Sequence, residues 1–170
     1  VGSHPMAGGE RTGVEFARAD LFVNATCVVT PTERTPTELA DRAEAFWREL
    51  GGLTLRMSPA DHDLAVARVS HLPHLLASLI VAAQDDRSID LAGGGFMDAT
   101  RIASGSPEMW RQIVLHNREA VLAALDDAEG RLQQLRELID AADGPAIERF
   151  LAHAKTRRDD LVHRRLRRQE

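Results

Sequence analysis

The sequence predicts a mainly α protein in two parts: the α/β tail end of a larger sheet domain over residues 1–59, then an all-helical domain over 60–170. Two observations carry this. Residues 25–57 hold strand, helix and strand signals in succession, and no strand signal follows Ala60. Beyond that point, apolar residues recur at the three- and four-residue spacing of helices. One strand–helix–strand unit cannot cover its own sheet edges, so it reads as the end of a larger sheet.

Taken in order, Ala25–Thr30 is a β-branched run stopped by Pro31, as a strand should be. Thr37–Leu50 places Leu39, Ala43, Phe46, Trp47 and Leu50 at helical spacing, and Gly51-Gly52 supplies the stop. Leu53–Met57 alternates apolar and polar residues, a second strand. Residues 62–86 predict one long helix, apolar on most faces, as a central buried helix is. Residues 107–142 predict one or two helices whose stripe of Val121, Leu125, Ala128, Leu132, Leu135 and Ile139 suits a partner helix. Asp143-Gly144-Pro145 ends that run and opens a last helix carrying Ile147, Phe150, Leu151 and Leu161. There are no internal repeats.

Composition narrows the function classes. A hydrophobic content of 44% and a charged content of 28% are ordinary for a soluble globular chain. The net charge of −5 argues against nucleic acid as the principal partner. Lys155 is the single lysine among 21 basic residues, a bias of base composition that says nothing about phosphate binding. The cluster Arg164, Arg165, Arg167 and Arg168 fits a solvated last helical turn, where cations suit the negative end of the helix dipole. Cys27, the one cysteine, lies in an apolar run and predicts a buried, inert thiol in a reducing compartment. No stretch reaches roughly 18 uninterrupted apolar residues, and no secretory start is visible. The expectation is a soluble, cytoplasmic protein with no membrane partner.

The residues that can carry chemistry fall in four short segments. His4 precedes a proline, which favours extended geometry, and Met6-Ala7-Gly8-Gly9 reads on as a loop. An accessible histidine titrates near neutrality and suits a general base. His71 and His74 lie three apart on one helix face, with Pro73 between them. Pro73 removes the helical donor for the Val69 carbonyl and kinks the helix, which opens space beside it. A zinc site using His62 lacks a well-placed further ligand, so no metal is expected. Arg101 follows Gly93-Gly94-Gly95, which let the backbone pass close to a ligand or another segment. Its planar fork suits a carboxylate. Trp110 either closes a pocket or packs.

Together, His4-Pro5-Met6-Ala7-Gly8, Ser70-His71-Leu72-Pro73-His74, Asp98-Ala99-Thr100-Arg101 and Trp110 resemble the prephenate/arogenate dehydrogenase family, the oxidative decarboxylases of tyrosine biosynthesis. The likeness runs to about Asn117 and is generic beyond it. It implies that His4 accepts the proton of the substrate's ring hydroxyl while hydride leaves the same carbon. By the same likeness His74 binds substrate and His71 orients it or packs nearby. Arg101 holds a carboxylate of a small dicarboxylate substrate, and Asp98 orients Arg101 or pairs with a histidine. Gly94 offers a backbone contact and Trp110 lines the pocket. The implied architecture is the tail of a Rossmann-type dinucleotide-binding domain followed by an all-helical dimerisation domain, hence a homodimer.

The implied reaction is the NAD-dependent conversion of prephenate to 4-hydroxyphenylpyruvate, with NADP as an alternative cofactor. Within the enzyme class the alternative is an arogenate (cyclohexadienyl) dehydrogenase, and from another class a non-catalytic helical dimerisation module. No Gly-x-Gly-x-x-Gly occurs. Gly8-Gly9 and Gly93-Gly94-Gly95 have the wrong offsets, and neither is expected to follow a strand. The phosphate-binding half is therefore expected outside this chain.

Overall fold

The strand–helix–strand unit is present. The computed structural model describes residues 1–8 and 13–167; Gly9 and Arg168 lie outside them. Strands β2 (Thr26–Thr30) and β3 (Leu53–Arg56) pair in parallel, from Thr26 opposite Leu53 to Val29 opposite Arg56. Helix α1 (Thr37–Glu49) connects them and packs on both. Gly51 ends this helix at φ 82°, where a side chain would be strained and would also meet Val23. A third strand, β1 (Gly2–Pro5), pairs antiparallel with β2 and places His4 opposite Val28. The order is β1-β2-β3. Central β2 buries Cys27, Val28 and Val29 almost completely, as a strand covered on both faces must.

His4 is thus on an edge strand and not in a loop. Pro5 hid this, but a proline at the end of an edge strand costs no central ladder bond. Gly8 accordingly follows a strand, against expectation. Across α1 and β3, Glu44 accepts from Arg48 and Arg56, and Arg56 also reaches Asp41. Cys27 is buried, its Sγ 3.6 Å from the Ala25 carbonyl oxygen, and burial pushes its thiol pKa up.

The expected long helix is broken in the middle. Helix α2 (Pro59–Val66) runs into a π turn (Ala67–His71) and then into α3 (Leu72–Ala82). The wide turn lies immediately before Pro73, whose missing N–H and bulky ring disfavour the regular i to i−4 ladder there. By length and composition alone the run Pro59–Ala82 is apolar enough to cross a membrane, an 18-residue window within it reaching a mean hydropathy of 1.5. Counting only uninterrupted apolar residues missed this. In the fold α3 packs against α5 (Gly94–Thr100) and the 3-10 turn Arg101–Ser104, but Leu76, Leu79 and Ile80 stay exposed, so the expected buried central helix is covered on one side only. A short α4 (Asp86–Ile89) precedes α5.

Helices α6 (Pro107–His116) and α7 (Arg118–Asp140) meet at Asn117. The chain forms two compact units, Val1–Ala124 and Leu125–Glu170. The second holds the remainder of α7 and α8 (Gly144–Leu166). Its turn uses Ala142 at φ 50° and Asp143, whose carboxylate accepts from the Ala146 N–H as a cap. Among its described residues none is buried.

Candidate active site

Two local devices set the positions of the site residues. Ser58 caps α2 by accepting from the Asp61 N–H at 3.0 Å, with Pro59 at the first helical position. That places His62 and Asp63 in the first turns, beside β1. Ser106 and Pro107 do the same for α6, which places Trp110 on its first turn.

From His4 a continuous polar chain runs inward. His4 Nδ1 lies 2.9 Å from His62 Nε2, and the rings meet edge-on. His62 Nδ1 lies 2.9 Å from Asp63 Oδ1. Asn117 Nδ2 donates to the Asp63 carbonyl at 2.8 Å and lies 3.3 Å from His71 Nδ1. His71 in turn presents its ring to Trp110 edge-on, centroids 6.2 Å apart. On the other side Trp110 stacks flat on His74, at 3.6 Å and 10°. Gly105 makes that stack possible, because a Cβ there would sit 2.5 Å from Trp110 Nε1 and 3.1 Å from His74 Cε1. Trp110 thus packs between the two histidines.

Burial acts on all three histidines of the sequence signature. His4 is exposed as a residue, yet its ring is crowded by its neighbours. Desolvation first, and His62 second, push its pKa below the ordinary imidazole value. His71 is lowered by burial, then by His4 and His62, with Asp63 opposing. His74 is lowered by burial, with a hydrogen bond to the Ile102 backbone opposing. His74 Nδ1 is buried with no hydrogen-bond partner. Such an orphan is costly, and it is usual at a ligand-binding position.

Arg101 opens the 3-10 turn that packs on α3 and is exposed. Thr100 before it is buried and bonds back to the Phe96 carbonyl at 2.7 Å, which fixes where the turn begins. Asp98 lies one turn earlier on α5, and no hydrogen bond or ion pair links it to Arg101, His71 or His74 among the described residues. The glycine triplet opens α5 and makes no tight turn, and a Cβ on Gly93, Gly94 or Gly95 would meet nothing within 4 Å. No described segment therefore approaches Gly94. A cleft of about 380 Å³ opens on the His74–Trp110 stack, with Ser78, Gly105 and Pro107 also in its wall. It reaches neither His4 nor Arg101.

Sequence reasoning gave Asn117 no place in this cluster, and His62 and Asp63 entered only in weighing a zinc site. Among the described residues no group of three His, Cys, Asp or Glu is placed to hold a metal. A regular helix puts residues nine apart on opposite faces. The π turn between His62 and His71 under-rotates the chain, so both histidines act on the same cluster. Asn117 gave only a helix-boundary signal.

Residues 58–153, more than half of the chain, match the profile of the prephenate dehydrogenase dimerization domain. Residues 1–55 match the nucleotide-binding domain of the same enzymes. The chain belongs to the prephenate dehydrogenase family. The prephenate dehydrogenase of Bacillus subtilis (strain 168) is 36% identical over 168 residues, covering 95% of this chain and 45% of that protein. The crystal structure of prephenate dehydrogenase from A. aeolicus in complex with hydroxyphenyl propionate and NAD+ superposes with a TM-score of 0.87 at 34% identity, covering 94% of this chain and 58% of that one. Synechocystis arogenate dehydrogenase gives a TM-score of 0.82 at 35% identity, over 94% and 60% of the respective chains. This chain thus spans about half the length of the curated prephenate dehydrogenases it matches.

Family membership brings a dinucleotide into question, and the residues present fit only one end of such a site. The strand-to-helix turns at residues 31–36 and 57–58 contain no glycine, so neither can cradle a pyrophosphate. At the reacting end the fit is better: His4 is exposed as a residue on its edge strand, with Nδ1 engaged by His62.

Proposed function

We propose that this chain supplies the proton-accepting and substrate-binding part of an NAD-dependent prephenate dehydrogenase. The observation that carries this is the His4 to His74 cluster: a base on a strand edge, joined by hydrogen bonds as far as His71 and from there through the Trp110 ring to a buried imidazole with an unmet hydrogen-bonding atom. Residues 1–59 then belong to the dinucleotide-binding domain and 60–170 to a helical substrate-binding and dimerisation domain.

When bound, NAD supplies the hydride acceptor. His4 accepts the proton of the ring carbinol as hydride leaves the same carbon. The bond to the ring carboxylate then breaks, its electron pair aromatises the ring, and carbon dioxide departs. Aromatisation drives the reaction, so this chain needs mainly to remove a proton and to hold carboxylates. Arg101 binds one carboxylate through its fork. His74 Nδ1 bonds a substrate polar group, with Trp110 holding the ring in place. Asp98, His71 and Gly94 line the same region.

A second substrate, arogenate, is favoured by the comparable likeness to the Synechocystis arogenate dehydrogenase; the two substrates differ only as keto and amino acid.

The protein acts as a homodimer, supported by large apolar residues left exposed on α3 and α7, Leu79 at 58% and Leu132 at 65%, beyond what scattered surface residues explain. The buried thiol of Cys27 suits a cytoplasmic setting. The test joins this chain to a complete dinucleotide-binding half and assays prephenate and arogenate with NAD and NADP. NAD reduction with release of carbon dioxide is expected with prephenate, and turnover with neither substrate would overturn the proposal.

A further inference from the structure

We propose that His62 is a positioning residue: held by Asp63, it fixes His4 as the Nδ1–H tautomer and leaves Nε2 as the free lone pair. The proposal rests on the assignment of His4 as the proton acceptor and deepens it.

The logic follows from what each group can donate. An ionised carboxylate only accepts hydrogen bonds, so the contact between Asp63 Oδ1 and His62 Nδ1 requires the proton on His62 Nδ1. Neutral His62 then has a bare Nε2, which can only accept. Its partner at 2.9 Å is His4 Nδ1, which must therefore carry the proton. His4 Nε2 is left unprotonated, the state a general base needs.

The arrangement has the logic of a carboxylate that orients an imidazole, extended by one ring. Asp63 is itself held from behind, since Asn117 bonds its carbonyl. Among the described residues, the charged and titratable groups that face His62 and His4 are Asp63 on α2 and His71 on the π turn. Protonation of His62 would make both its nitrogens donors. His4 Nδ1 would then have to accept, and Nε2 would lose its lone pair. The same device thus ties the base to the protonation state of its neighbour.

The experiment reads the tautomer directly. Imidazole nitrogen chemical shifts of His4 are measured by NMR in this chain at about pH 8, above the ordinary histidine pKa. The Nδ1–H form is expected in the native chain. His62→Phe keeps a ring against His4 but removes the acceptor, and His4 should shift toward the Nε2–H form. His62→Gln restores an acceptor at nearly the same reach and should restore Nδ1–H. In the chain joined to a complete dinucleotide-binding half, His62→Phe should lower kcat about 10–100-fold with KM little changed, and His62→Gln should recover most of it.

An Nε2–H His4 in the native chain, or a tautomer unmoved by His62→Phe, overturns the proposal. Unchanged kcat in His4→Asn would instead overturn the assignment of the base, while the tautomer result still stands or falls by itself.

Discussion

The two compact units are built on different principles. Val1–Ala124 buries Cys27, Val28, Val29, Ala40, Val66, Ala67, Ala77, Val121 and Ala124, and its polar cluster is braced by hydrogen bonds between distant segments. Leu125–Glu170 is two helical segments with no buried residue among those described, and Leu132, Ile139, Leu151 and Leu161 are each more than half exposed. The first unit has a core and a site of its own. The second has an amphipathic pattern without an internal partner, so its apolar stripe must find burial outside the unit. The contrast fits the proposal that the first carries the chemistry and the second the association.

The largest expected effect breaks the association. Leu132→Glu with Ile139→Glu removes two large apolar side chains from the proposed dimer face. At about 1.5–3 kcal/mol for each buried side chain, and four such side chains across the two protomers, the dimer should weaken by roughly 10⁴-fold or more. Light scattering at micromolar concentration checks this, with circular dichroism to show that the helices persist. A monomeric native chain that is fully folded would remove the division of labour altogether.

Two effects of middle size act on the first unit. Gly105→Ala forces a methyl group into the Trp110–His74 stack and should cost about 1–3 kcal/mol in urea unfolding, whereas Gly94→Ala, where a Cβ meets nothing, should cost under 0.5. The buried histidines add a pH dependence. Burial lowers the pKa of His71 and His74 in the folded chain. The unfolded chain therefore binds protons first as pH falls, and stability is complete above about pH 6.5 and declines below it. The slope approaches at most about 1.4 kcal/mol per pH unit for each such group. Melting temperatures measured from neutral pH down to mildly acidic pH should fall, and His74→Phe should flatten the curve.

The smallest effect concerns Cys27. A thiol reagent should label it only after denaturant is added, because the side chain is buried and its pKa is raised.

Much of this was legible in the sequence because the signals are local. Strand β2, helix α1, its glycine stop, strand β3 and the break at Asp143-Gly144-Pro145 each follow from a few adjacent residues. What escaped depends on distant pairing or on backbone irregularity. Strand β1 exists because Gly2–Pro5 pairs with residues some two dozen positions away, and Pro5 reads locally as a strand breaker. The π turn was implied only as a kink at Pro73, so the rotation that gathers His62, His71 and His4 could not be read. His4, His71 and His74 were visible as a motif, but Asp63 and Asn117, which tie them together, had no signature of their own. The glycine triplet opens a helix and approaches no described segment, which leaves the ligand reading of its open space.

The chemistry assigned to the first unit is tested most directly by His4→Asn and Arg101→Ala side by side, in the chain joined to a complete dinucleotide-binding half. The 170 residues alone, lacking a glycine-rich phosphate turn, should give no NAD reduction. In the joined enzyme, His4→Asn should lower kcat by about 10²–10⁴-fold with KM largely kept, and the pH profile should lose its limb near neutrality. Arg101→Ala should instead raise KM by the equivalent of about 2–4 kcal/mol, and Arg101→Lys should recover little. Exchanged phenotypes, or normal kinetics in both variants, would contradict the assignment of His4 as the base and Arg101 as the carboxylate clamp.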